Sequence, residues 1–125
     1  MADKPFVMII EDEVEQRDLI ELVLRQDFDV KLFGKGEDAL SFFRKYHEKV
    51  DMILLDIGIP DIAATEIMDE MSVVTENQTR MIVTTAYPEE SEDVRNLKKK
   101  RDFYYLGKPF SIRQLPETIN RYLSE

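Results

Sequence analysis

The chain has no cysteine, which excludes a disulfide framework, cysteine-based zinc sites and thiol catalysis, and fits a reducing compartment. It has one histidine, His47, at the end of a helical stretch with no partner suggested nearby. That position reads as an exposed helix terminus and not as a catalytic base. A basic excess is also lacking: 17 Lys and Arg face 26 Asp and Glu, giving a formal charge of −9, so direct nucleic-acid binding is not expected. No apolar run reaches transmembrane length, and Met1-Ala2-Asp3-Lys4-Pro5 carries no signal-peptide apolar region. A cytoplasmic protein without membrane association is the expectation. There is no internal repeat, low-complexity tract or linker, and 125 residues are enough for one domain, 1–125, with a real core.

What is present is an alternation. Phe6 to Ile10, Val30 to Phe33, Met52 to Leu55, Arg80 to Thr85 and Phe103 to Leu106 read as strands; most are apolar runs of the kind buried on both faces. Val30 to Phe33 is shorter and partly alternating, as an edge strand should be. Between them, Val14 to Gln26, Glu37 to His47, Thr65 to Val74, Pro88 to Arg101 and the segment after Ser111 read as helices. The fourth has only Val94 and Leu97 to bury. Its acidic front, Glu89 to Asp93, and basic back, Lys98 to Arg101, complement a helix macrodipole. Ser111 and Gln114 have capping-box spacing, and Pro116 stands about one turn further on. The pattern is (βα)5, an α/β doubly wound parallel sheet covered on both faces.

In a parallel sheet all strand C-termini share one edge, where open α/β folds place their chemistry. Strand 1 delivers Glu11 and Asp12 there, strand 3 Asp56, strand 4 Thr85 and strand 5 Lys108. Clustered carboxylates raise one another's pKa, and a hard divalent cation with oxygen ligands, Mg²⁺ or Mn²⁺, relieves the repulsion. A carboxylate is also a nucleophile toward phosphorus. A lysine ammonium and a threonine hydroxyl suit the remaining phosphoryl oxygens. Residue types and spacing thus suggest metal-assisted phosphoryl transfer onto Asp56.

Four segments, Ile9-Ile10-Glu11-Asp12-Glu13, Ile53 to Asp61, Val83-Thr84-Thr85-Ala86-Tyr87 and Tyr105-Leu106-Gly107-Lys108-Pro109-Phe110, together resemble a two-component response-regulator receiver domain over essentially the whole chain. The resemblance implies a flavodoxin-like fold with strand order 2-1-3-4-5 and Asp56 as phosphoacceptor. It implies metal binding by Asp12, Glu11, Asp56 and the Gly58 carbonyl, and phosphoryl contacts from Thr85 and Lys108. It further implies a cis Lys108–Pro109 bond and a switch pair, Thr85 and Tyr105. The implied partners are a sensor histidine kinase or histidine phosphotransfer protein and a downstream effector protein or domain. The implied role is a phosphorelay switch of the helix 4–strand 5–helix 5 surface, catalysing only its own aspartyl phosphorylation and dephosphorylation.

Some positions depart from the family pattern. Glu11 replaces the commoner Asp, Ala63-Ala64 stands where Asp-Gly is common, and the fourth helix lacks an Ala-rich, Gly-Ala ending. A left-handed residue without Gly would cost about 1 kcal/mol, so the loop after Asp56 is expected to take another path. Three other readings compete. A dehalogenase-like Mg²⁺ phosphatase would need a second Asp where Gly58 stands. A flavin-phosphate carrier would find Glu11-Asp12-Glu13 repulsive to its ligand. A receiver-fold interaction module acting without phosphorylation would usually lack an active-site residue.

Overall fold

Alternate residues of each central strand enter two separate cores, which is why these strands are apolar almost without interruption. The computed structural model describes residues 3–75 and 79–125. Its elements are β1 (Phe6–Ile10), α1 (Val14–Leu24), β2 (Asp29–Phe33), α2 (Gly36–Tyr46), β3 (Met52–Asp56), α3 (Ala64–Val74), β4 (Arg80–Thr85), α4 (Glu92–Lys100), β5 (Tyr104–Gly107) and α5 (Leu115–Leu123). The five strands are parallel in the order β2-β1-β3-β4-β5, with β2 and β5 at the edges. Val7, Ile9, Met52, Leu54 and Ile82 face α1 and α5, meeting Ile20, Leu24, Leu115 and Ile119. Met8, Ile10, Ile53, Leu55, Met81 and Val83 face α2, α3 and α4, meeting Phe43, Ile67, Met71, Val94 and Leu97. No described helix is long and apolar enough to cross a membrane.

Several expectations shift. Asp56 is the last residue of β3, paired with Thr84 of β4, and does not simply follow the strand. The fourth helix starts at Glu92, four residues after Pro88, because the chain first turns (Ser91 N–H to Pro88 carbonyl, 3.0 Å) and Ser91 then caps the helix through its hydroxyl. Val94 and Leu97 are its two buried anchors, and its lysines are a solvated face: Lys98 pairs with Glu89 and Lys100 with Asp69. The Ser111–Gln114 capping box does not form. A short 3-10 turn, Ile112–Gln114, sends the Gln114 N–H to the Ser111 carbonyl instead (3.1 Å). Pro116 consequently falls in the first turn of α5, where its missing N–H costs nothing. His47 is half-buried against Phe43, with ring centroids 5.8 Å apart, so it is not the exposed terminus its sequence position suggested.

The loop from Ile57 to Ala63 does take a path without left-handed residues: no described residue has positive φ, and Ala63 is extended at φ −70°, ψ 144°. Asp61 in this loop caps the distant α2, accepting from the N–H groups of Gly36 (2.9 Å) and Glu37 (3.1 Å). The Lys35 side chain, at the N-cap position itself, makes no such bond. Gly36 is also closely packed: a Cβ there would stand 2.1 Å from Ile62 Cγ2 and 2.9 Å from Ile67 Cδ1, so these side chains would have to shift.

Candidate functional site

β1 and β3 are neighbours although α1, β2 and α2 intervene in sequence, so the chain reverses its winding between them. That switch point leaves a crevice at the strand C-termini. Glu11 continues the β1–β2 ladder by one residue, its N–H donating to the Phe33 carbonyl at 2.9 Å. Its side chain is buried and accepts from the Glu13 N–H at 3.2 Å. Asp12 follows and is more open. Asp56 closes β3, also buried, and its Oδ1 accepts from the Gly58 N–H at 2.9 Å. Carboxylate oxygens of Glu11, Asp12 and Asp56 lie within 4.8 Å of one another.

Lys108 arrives from the end of β5. Its N–H donates to the Thr85 carbonyl (2.7 Å), and the peptide to Pro109 is cis, as the resemblance implied. Its Nζ lies 3.1 Å from Asp56 Oδ2 and 3.4 Å from Glu11 Oε1. One ammonium therefore bridges two carboxylates, with Asp12 as the third acid of the cluster. The electrostatics follow. Burial, and then the hydrogen bond and charge of Asp56, push the Glu11 carboxyl from 4.5 up to about 7. Burial alone would lower the Lys108 pKa, but Asp56 and Glu11 outweigh it and hold the ammonium above its ordinary value.

Thr85 is buried, and its Oγ1 accepts from the Tyr87 N–H at 3.0 Å. The Tyr87 carbonyl in turn accepts from the Tyr105 hydroxyl at 2.6 Å. One peptide segment thus ties Thr85 to Tyr105, which lies over Gly107 on the α4 side of the sheet. Sequence reasoning placed Thr85 and Tyr105 on adjacent strands but not this bridge, because main-chain bonds at Tyr87 depend on the turn after β4. It also missed Arg17, whose Nη1 donates to the carbonyls of Glu11 (3.1 Å) and Asp12 (3.4 Å). An open cleft of about 380 Å³, between Glu13, Gln16, Ala86 and Phe110, gives access to the Lys108 side of the pocket.

The described residues fit a divalent cation. Three carboxylates and one ammonium leave two formal negative charges, and all the carboxylate donors are hard oxygens. Gly58, the fourth metal residue implied by resemblance, is placed at the pocket by the bond from its N–H to Asp56.

A parallel five-stranded sheet in this order, with acidic residues at its switch point, defines the doubly wound class that holds its ligands at the strand C-termini. Within that class, the model of the response regulator receiver domain matches residues 7–120. Sporulation initiation phosphotransferase F of Bacillus subtilis is 30% identical over 94% of this chain and 92% of that protein. The hydrogenase transcriptional regulatory protein HoxA of Bradyrhizobium diazoefficiens is 27% identical over 95% of this chain, which spans 24% of HoxA. The crystal structure of a CheY-like response regulator receiver domain protein from Methanospirillum hungatei superposes with a TM-score of 0.81 at 23% identity, over 98% of this chain and 95% of that one. The chain belongs to the response regulator receiver domain family, a signalling module of two-component systems and not a metabolic enzyme.

Proposed function

We propose that the whole chain, 1–125, works as one phosphoacceptor receiver domain in a two-component phosphorelay, with Asp56 as the residue phosphorylated. The observation that carries this is the setting of the Asp56 carboxylate. It lies 3.1 Å from the Lys108 ammonium and within 4.8 Å of two further carboxylates, at the C-terminal end of β3. A carboxylate so placed is a nucleophile beside charges suited to holding a phosphoryl group.

Glu11, Asp12, Asp56 and the Gly58 carbonyl are the groups we assign to Mg²⁺, or Mn²⁺ in its place. The bound cation would neutralise charge on the phosphoryl oxygens during transfer. An Asp56 oxygen attacks phosphorus as the bond from phosphorus to the imidazole nitrogen of a phosphohistidine breaks; the electron pair of that bond returns to the nitrogen. The donor is a sensor histidine kinase or a histidine phosphotransfer protein. The Lys108 ammonium turns from Asp56 to a phosphoryl oxygen. The Thr85 hydroxyl accepts from the Tyr87 N–H, which leaves its own proton for donation to another phosphoryl oxygen. Drawing Thr85 toward the phosphoryl group pulls on Tyr87 and hence on Tyr105, because the three are joined by hydrogen bonds. α4 has only two buried anchors and shifts at small cost, so the α4–β5–α5 surface carries the change to a downstream effector protein or domain.

The test is incubation with acetyl phosphate and Mg²⁺, followed by intact mass. The wild type gains one acid-stable, base-labile phosphoryl group and Asp56→Asn gains none. An unmodified wild type, under conditions that label a control receiver, would favour an interaction module that works without phosphorylation.

A further inference from the structure

We propose that Arg17 is a positioning residue for the pair of acids that binds the metal, and that Gly34 is the seat that lets it reach them. The inference rests on the reading of Glu11 and Asp12 as metal ligands given above.

Arg17 stands one turn into α1. Its guanidinium bonds neither carboxylate. Nη1 donates instead to the main-chain carbonyls of Glu11, at 3.1 Å, and Asp12, at 3.4 Å. No other side chain among the described residues bonds the main chain of either acid. The helix start gives little help, since Glu13 occupies the N-cap without a side-chain cap. Besides the local bond from the Glu13 N–H to the Glu11 carboxylate (3.2 Å), two attachments hold the main chain of Glu11 and Asp12. One is the Glu11 N–H on the Phe33 carbonyl, at 2.9 Å. The other is the Arg17 guanidinium. A carbonyl held in place fixes the peptide plane, and the peptide plane fixes where the attached side chain can project. Because the cation is directed at carbonyls, it sets the geometry of the acids without neutralising them. Among the described residues, the cation paired with Glu11 is Lys108.

Gly34 is the second, independent observation. It lies in the turn after β2, and a Cβ built on it would stand 2.0 Å from Arg17 Nη1 and 3.1 Å from Cζ. Any side chain at position 34 must push the guanidinium away from the two carbonyls. The backbone at Gly34 does not call for glycine, since its φ is not positive. Its small size is required by the neighbour that packs on it.

Partners that orient metal ligands from outside the coordination shell typically alter metal affinity by roughly 10- to 100-fold when removed. MgCl₂ titration followed by amide NMR, on the full chain, gives the test. Arg17→Met keeps the aliphatic stem and should weaken Mg²⁺ binding about tenfold or more. Arg17→Lys retains a cation but not the guanidinium fork, and should fall between Arg17→Met and wild type. Gly34→Ala, which alters no pocket side chain, should weaken binding as Arg17→Met does. In phosphorylation by acetyl phosphate, the Mg²⁺ concentration for half-maximal rate should rise by the same factor. The rate at saturating Mg²⁺ should stay within about twofold of wild type, as expected of a lesion in metal binding. Ile20→Val removes a methylene from the buried face of α1 and controls for general loosening. It should leave Mg²⁺ affinity unchanged. Wild-type affinity in Arg17→Met and Gly34→Ala would overturn the proposal, as would an equal loss in Ile20→Val. A wild type that binds no Mg²⁺ would instead overturn the metal-site reading, and this inference with it.

Discussion

Replacing Glu11 by Gln should stabilise the metal-free protein at alkaline pH and do nothing at acid pH. The Glu11 carboxyl is raised from 4.5 to about 7, by burial first and then by Asp56. Below pH 4.5 the carboxyl is protonated in both folded and unfolded chains and contributes no difference. As pH rises from 4.5 toward 7, the unfolded chain releases its proton while the folded chain keeps it, so the unfolded state is favoured. Stability is lost across this window and the deficit is complete above pH 7. A rise from 4.5 to about 7 corresponds to at most about 3 kcal/mol. Local relaxation and water entry reduce it, so the expected gain for Glu11→Gln is about 1–3 kcal/mol at pH 8. Gln keeps the oxygen that accepts from the Glu13 N–H, which limits side effects. The assay is urea unfolding in EDTA at pH 4, 5, 6, 7 and 8, with m-values compared. A mutant no more stable than wild type at pH 8, or a difference that does not grow between pH 4.5 and 7, would refute the reasoning.

Two further outcomes concern structure and switching. Gly36→Ala should cost about 1–3 kcal/mol in urea unfolding, because its Cβ would meet Ile62 and Ile67 side chains at 2.1 and 2.9 Å; a neutral result would show that these isoleucines repack freely. Tyr105→Phe removes the hydroxyl bonded to the Tyr87 carbonyl and should cost about 0.5–1.5 kcal/mol. In amide hydrogen exchange with and without beryllofluoride, that variant should also lose the response of α4 and β5 seen in wild type; an unaltered response would remove Tyr105 from the coupling path.

The parts of the protein that local pattern specifies were readable from its residues. Strand runs such as Phe6–Ile10 and Met52 to Leu55 are apolar because both faces of the sheet are covered, and the strand ends carry Glu11, Asp12, Asp56, Thr85 and Lys108 to one edge. What local pattern does not contain is contact across the fold. Asp61 caps a helix 24 residues away from it in sequence at Glu37, and Arg17 packs on Gly34. His47 is half-buried because Phe43, one turn earlier, faces the core and draws the ring down. The acidic run after Pro88 has helix-start composition, yet the fourth helix begins only at Glu92. Ser91, a better cap, decides the start. Ser111 and Gln114 have the spacing of a capping box, but a tighter turn satisfies the same N–H with a backbone carbonyl.

The central claim is that the phosphoryl group sits on Asp56. The most direct measurement is borohydride reduction of the protein after reaction with acetyl phosphate and Mg²⁺, followed by peptide mapping. An acyl phosphate is reduced to the alcohol, so the account predicts homoserine in place of Asp56 in the peptide spanning β3, and at no other acidic residue. Reduction at Glu11 or Asp12, or none at Asp56 in protein whose mass shows a phosphoryl group, would contradict it.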